Sequence, residues 1–191
     1  LIITNGFIGI YEDDARGAAA LIRGTDITFI NCIIMNCEVL SNQAQATATI
    51  HIASSNSCII NLINSTLCNN RVNTTGLETS EGSTSRVDYS RGSMINCNIY
   101  PDSYRNTIEN SLFENNIVET VDGQAYGGAL QLYGDCTNCT FINNHAHSGN
   151  SGSHAGALCF RPDSTVDNCT FIGNHADKGG ATSFHASGEL T

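Results

Sequence analysis

The chain contains no tryptophan, and aromatic residues make up only 7% of its 191 positions. A large globular centre built around bulky rings is excluded, and the core must rest on Ile, Leu, Val, Ala and Cys. Cationic residues are scarce as well: eight stand against eighteen acidic ones, for a formal charge of −10, and Lys178 is the single lysine. With no basic stripe to neutralise phosphates, nucleic acid is excluded as a partner. The same deficit argues against docking on an anionic membrane. No apolar run long enough for a transmembrane span and no targeting or lipidation motif is visible. The first residue is Leu1 and the last residues open a further repeat, so residues 1–191 read as one segment of a longer repeat protein.

An internal repeat is present. Asn138-Cys-Thr-Phe-Ile-Asn-Asn-His-Ala146 returns thirty residues later as Asn168-Cys-Thr-Phe-Ile-Gly-Asn-His-Ala176, with weaker copies opening at Asn110, Asn64, Asn31 and Asn5. Two positions before the Asn stand Ile3, Phe29, Leu62, Ile108, Cys136 and Val166, all apolar. One after it stand the small residues Gly6, Cys32, Ser65, Ser111, Cys139 and Cys169. Three after it stand Ile8, Ile34, Leu67, Phe113, Phe141 and Phe171, and eight after it Val39, Val72, Val118, Ala146 and Ala176, with Asp13 as the exception. The small and large positions alternate as a strand requires, but the position two before the Asn is out of phase with them. A bend at Asn, which tolerates the left-handed conformation, restores the phase. Asn31, Asn64, Asn110, Asn138 and Asn168 are therefore expected to be corners between two short strands, with side chains stacked inside.

A second motif precedes a further strand: Gly127-Gly-Ala-Leu-Gln-Leu132, Gly156-Ala-Leu-Cys-Phe160 and Gly179-Gly-Ala-Thr-Ser-Phe184, with Ala18-Ala-Ala-Leu-Ile22 as an early version. The corners are 26, 33, 46, 28 and 30 residues apart, enough for three strands and their turns. Same-position residues in every repeat are the requirement of stacked coils, in which each side chain lies on its own copy at about 4.8 Å. The expectation is an all-β parallel solenoid of about six coils, three strands per coil. Two insertions interrupt it, 73–93 and 147–154, while Met94–Tyr100 reads as an extra strand or partial coil.

These motifs resemble the polymorphic outer-membrane-protein repeat, which is marked by Gly-Gly-Ala-Ile and Phe-x-x-Asn. Phe113–Asn116, Phe141–Asn144 and Phe171–Asn174 match the second motif, and Leu67–Asn70 matches it with Leu for Phe; Gly127-Gly-Ala-Leu130 and Gly179-Gly-Ala-Thr182 correspond to the first. The likeness is good over 108–184 and thin before it, and Ile34–Cys37 departs at both ends of the motif. It implies a right-handed parallel β-helix exposed outside the cell or on its surface and acting in adhesion, without a cofactor. Display through loops and one flat sheet face, toward a surface protein or glycan, is the expected role.

Four sets of residues carry possible chemistry. Cys136 and Cys139 form a CxxC, yet each falls in a repeat column that packing explains. His145 and His175 are equivalent, as are His147 and Asp177; residues two apart on a strand face the same way, so these four are candidates for a surface square able to ligate zinc, nickel or copper, with His154 and His185 nearby, although a solvated edge that happens to repeat is the favoured reading. Glu12-Asp13-Asp14, with Arg16 and Arg23, is the nearest approach to a polysaccharide-cleaving site, but such enzymes need further carboxylates from neighbouring coils. In the 73–93 excursion, Arg86, Tyr89 and Arg91 are the candidate binding residues. Of the sequons at Asn64, Asn73, Asn138 and Asn168, only Asn73 is expected to be open to glycan attachment, because the other three are corners. A carbohydrate-active enzyme on the same scaffold, and an assembly protein stacking end to end, are the rival readings.

Overall fold

The computed structural model describes residues 1–8, 15–16, 18–22, 26–41, 46–47, 49–52, 59–74, 95–96, 106–121, 125–149, 152–160 and 164–184. Its strands fall into four long sheets and two short ones, every pair parallel and in register. The first sheet holds Ile27–Ile30, Ile60–Ile63, Asn106–Glu109, Gly134–Thr137 and Thr165–Asp167. The second, six-stranded, runs from Ile2–Thr4 through Ile33–Met35, Thr66–Cys68, Leu112–Glu114 and Thr140–Ile142 to Thr170–Ile172. The third holds Phe7–Ile8, Glu38–Ser41, Arg71–Thr74, Ile117–Thr120 and His145–Ser148. The fourth, again six-stranded, holds Ala20–Ile22, Ile50–Ile52, Ile95–Asn96, Leu130–Leu132, Leu158–Phe160 and Thr182–Phe184. The chain is a stacked parallel β-solenoid, as the repeat requires.

The coil turns twice on asparagine. Asn31, Asn64, Asn110, Asn138 and Asn168 all have φ between 48° and 54°, the left-handed geometry expected of a corner. Five residues later a second left-handed corner recurs at Asn36, Asn69, Asn115, Asn143 and Gly173. The coil therefore has four recurrent strands, the extra one carrying the column eight residues after the first corner. Asn5 belongs to the second corner, since Ile2–Thr4 pairs with Ile33–Met35. The apparent exception at Asp13 disappears with this shift, because Ile8 stacks on Val39.

The corner side chains are outside, which corrects the expected inward stack. Asn31, Asn64, Asn110, Asn138 and Asn168 are exposed. They can still bond along the column: Asn168 Nδ2 donates to Asn138 Oδ1 at 2.6 Å. The physical reason is the corner itself. A left-handed residue reverses the inside–outside alternation, so the residue after each corner points inward and the corner residue outward.

The interior ladder is instead Asn70, Asn116 and Asn144, all buried, with half-buried Asn174; each is the last residue of a Phe-x-x-Asn or Leu-x-x-Asn motif and stands just past the second corner. Asn116 Nδ2 donates to Asn144 Oδ1 at 2.9 Å and to the Leu67 carbonyl at 2.9 Å. Asn144 Nδ2 donates to Asn174 Oδ1 at 2.9 Å and to the Phe113 carbonyl at 3.0 Å. Each Oδ1 also accepts the backbone N–H of the preceding coil's Asn, and Cys37 N–H tops the ladder by donating to Asn70 Oδ1 at 3.0 Å. Amides suit this place because each has two donors and an acceptor to satisfy a turn whose backbone cannot reach water.

Apolar columns fill the rest of the interior. Ile34, Leu67, Phe113 and Phe141 are fully buried, and Phe141 stacks on Phe113 and Phe171 with ring centroids 4.8 and 4.9 Å apart. The second glycine of the Gly-Gly-Ala motif is a packing requirement: a Cβ on Gly128 would lie 2.2 Å from the Gly156 carbonyl oxygen. At the first glycine, Gly127 and Gly179 have φ of 63° and 64°, and Ala155 accepts the same conformation at 62°.

Strands also stand in Met94–Tyr100, expected as an extra strand or partial coil, and in the expected insertion 147–154, while 75–93 lies outside the described residues. Ile95–Asn96 is a regular member of the fourth sheet, paired with Ile50 and Leu130 and their neighbours. In 147–154, among the described residues, His147 and Ser148 end the strand His145–Ser148, and Ser153–His154 is a strand that pairs with Ala125–Tyr126.

Candidate functional site

Residues facing outward on the third sheet bring the expected histidines together. His145 is bridged to His175 in register, their rings 5.0 Å apart edge to face, and His147 lies 6.0 Å from His145 in the same manner. Glu119 stacks on His147 and forms an ion pair with Arg71 at 2.5 Å. Asp177 does not turn to the histidines. Its Oδ2 accepts the Ser153 N–H and hydroxyl, each at 2.9 Å, and its own N–H donates to Ser153 Oγ at 2.8 Å. Those two bonds, with a smaller attraction from His147, hold its carboxyl below the usual range. His154 stacks on Tyr126 at 5.4 Å, away from this set. Among the described residues, the ligand group whose donor atoms all lie within 4.8 Å of one another is Cys136, Cys139 and Cys169, not the histidine set.

His145 is half-buried and its Nε2 is enclosed with no hydrogen-bond partner. Burial first, then repulsion from His175 and His147, lowers its pKa from 6.5, with Glu119 and Asp177 opposing. Burial, helped by Lys178, lowers that of His154 as well. The unfolded chain therefore takes up these protons at higher pH than the folded one, and stability is lost as pH falls below about 6.5. The expected result is a thermal midpoint that drops between about pH 7 and pH 5, with His145→Gln removing part of the slope. A midpoint level across that range would contradict the burial of His145.

The outer face of the second sheet is the other feature the coil places. Its outward columns are Ile2, Ile33, Thr66, Leu112, Thr140 and Thr170, and, two residues on, Thr4, Met35, Cys68, Glu114, Ile142 and Ile172. Glu114 is the one charge in these two columns of a chain whose net charge is −10. Ile2, Ile33 and Ile172 are 66%, 38% and 53% exposed. Threonine and aliphatic side chains at strand spacing make a flat, nearly uncharged strip. The separate sequence motifs did not single it out, because its residues come from the outward positions between columns chosen for being apolar or small.

The other candidate residues divide by location. Arg86, Tyr89 and Arg91, the Glu12-Asp13-Asp14 run, Arg23 and His185 lie outside the described residues. Asn73 lies within the strand Arg71–Thr74 and is half-buried, not in a loop. Asn64, Asn138 and Asn168 are the exposed sequons, the reverse of the expectation.

A stack of parallel strands with double asparagine corners and self-matching interior columns defines a β-helix. The chain belongs to the right-handed β-helix family: residues 3–191 match its right-handed β-helix region. The chain matches no curated protein and no solved structure. The fold serves enzymes and non-enzymes alike, so it leaves the activity to the surface.

Proposed function

We propose that this segment is a non-catalytic scaffold of a cell-surface or secreted protein, of the polymorphic outer-membrane-protein type, that acts in adhesion to a surface protein or glycan. The observation that supports this reading is the flat, nearly uncharged strip on the second sheet. Such a strip desolvates readily, and its hydroxyls can hydrogen-bond a polar partner while the aliphatic side chains exclude water. Rigid parallel strands fix the spacing of these groups before binding, so little ordering entropy is lost on contact. Of the seven described cysteines five are buried, which shelters them in an oxidising exterior.

The test is a binding screen of the purified segment on a glycan array and on cell surfaces, beside an assay for polysaccharide cleavage. Binding without turnover is expected, and Thr140→Lys with Ile142→Lys should reduce it at least tenfold, as buried interface centres do on charge insertion. Both side chains point outward, so the thermal midpoint should hold. Cleavage of a glycan would overturn the reading in favour of an enzyme, and unchanged binding by the lysine variant would remove the strip from it.

A further inference from the structure

We propose that Cys136, Cys139 and Cys169 form a site for a single soft, thiophilic ion of the Cu(I) class. Cys136 points inward from Gly134–Thr137, and Cys139 follows the first corner of the same coil. Cys169 occupies the equivalent position one coil further on, since Thr140 pairs with Thr170. The three Sγ atoms lie within 4.8 Å of one another, and those of Cys136 and Cys169 are 3.7 Å apart. Sulfurs that share one metal at bonds of about 2.3 Å stand roughly 3.8–4.0 Å apart by simple geometry. Closing the triangle on an ion therefore needs only small side-chain movements.

Packing alone explains two of the three. A thiol or hydroxyl just past the first corner returns a bond to the carbonyl two residues back: Ser65 to Ile63, Ser111 to Glu109, Cys139 to Thr137 and Cys169 to Asp167. Cys136 is different. It stands where other coils place Phe29, Leu62, Ile108 and Val166, and its sulfur closes a cluster that no other described coil repeats. Cys136 and Cys139 are buried while Cys169 is half-buried, so the cluster has a covered floor and one side near solvent for entry.

Ligand type selects the ion. Thiolates favour soft metals, and structural zinc takes four ligands. No histidine or carboxylate joins the group among the described residues, which leaves a three-sulfur set suited to trigonal Cu(I). On binding, each protonated thiol that forms a copper–sulfur bond releases its proton to solvent, and neither copper nor sulfur changes oxidation state.

The experiment is anaerobic titration of the fully reduced protein with Cu(I) in the presence of a chromogenic Cu(I) chelator, followed by X-ray absorption at the copper edge. Expected are a single tightly held copper per chain and a first shell of three sulfurs. Cys139→Ser, Cys169→Ser and Cys136→Val should each release that copper to the chelator. The same columns already hold Ser65, Ser111 and Val166, so these variants should keep the thermal midpoint, and Cys32→Ser, in the same column but remote from the cluster, should keep the copper. Wild-type protein that yields all its copper to the chelator would overturn the proposal. So would variants that retain it, or a Cys136–Cys169 disulfide in protein isolated without air.

Discussion

Replacing Phe141 by Ala should lower stability by about 3–5 kcal/mol, read as a fall in the urea midpoint at constant slope. Its side chain is fully buried between two parallel rings, Phe113 tilted by 8° and Phe171 by 4°. The lost area is one part of the effect. The other is the cavity, which cannot close, because the coils above and below are held at strand spacing by in-register backbone ladders through Leu112–Glu114 and Thr170–Ile172. Phe141→Leu should lose less than about 1.5 kcal/mol, because Leu67 fills the same column without disturbance. A near-neutral Phe141→Ala would remove this column from the core. Because neighbouring coils unfold as coupled units, the unfolding should be followed by two probes to confirm that one transition is being compared.

Asn144→Ala should be comparably severe, at about 3–5 kcal/mol. Its Oδ1 accepts the Asn116 N–H at 3.1 Å and the Asn116 side-chain amide at 2.9 Å. Its own amide satisfies the Phe113 carbonyl. Truncation strands two donors and one acceptor in a place with no solvent, and each unmet buried group costs about 1–3 kcal/mol, less than additively. Its neighbour gives the contrast. Asn143 is an exposed corner with φ 52°, where the next coil uses Gly173, so Asn143→Gly should be near neutral. Asn143→Ala should lose about 1–2 kcal/mol from the left-handed backbone alone. If the two positions respond alike in thermal or urea unfolding, the distinction between corner and ladder fails.

This contrast shows where the sequence was legible. The apolar columns at Phe29, Ile34 and Val39 and their copies could be read directly, because each side chain must fit its own copy in the next coil. The left-handed corners were legible too, from the broken alternation around Asn138 and Asn168. The ladder was present in the letters, at Asn70, Asn116, Asn144 and Asn174, yet unassigned. Its inward direction depends on a second reversal at Asn69, Asn115 and Asn143, and Gly173 interrupts that column. The same missed reversal placed Asn5 in the wrong corner, and the outward turn of the first-corner side chains themselves reversed the glycosylation expectation. The histidine square was half legible: equivalence put His145 beside His175, but nothing in the repeat foretold that Ser153 would take the Asp177 carboxylate.

The sequence by itself determined that the chain stacks as coils and which apolar columns fill their interior, since periodicity is a property of the order of residues alone. The tertiary structure decided which of two adjacent asparagines is buried, which outward residues merge into one uncharged strip, and that Cys136 meets Cys169 from the next coil. Those outcomes depend on how corners rotate the strands and how separate coils superpose, and contacts between residues 28 to 46 apart are set by that superposition rather than by any local pattern.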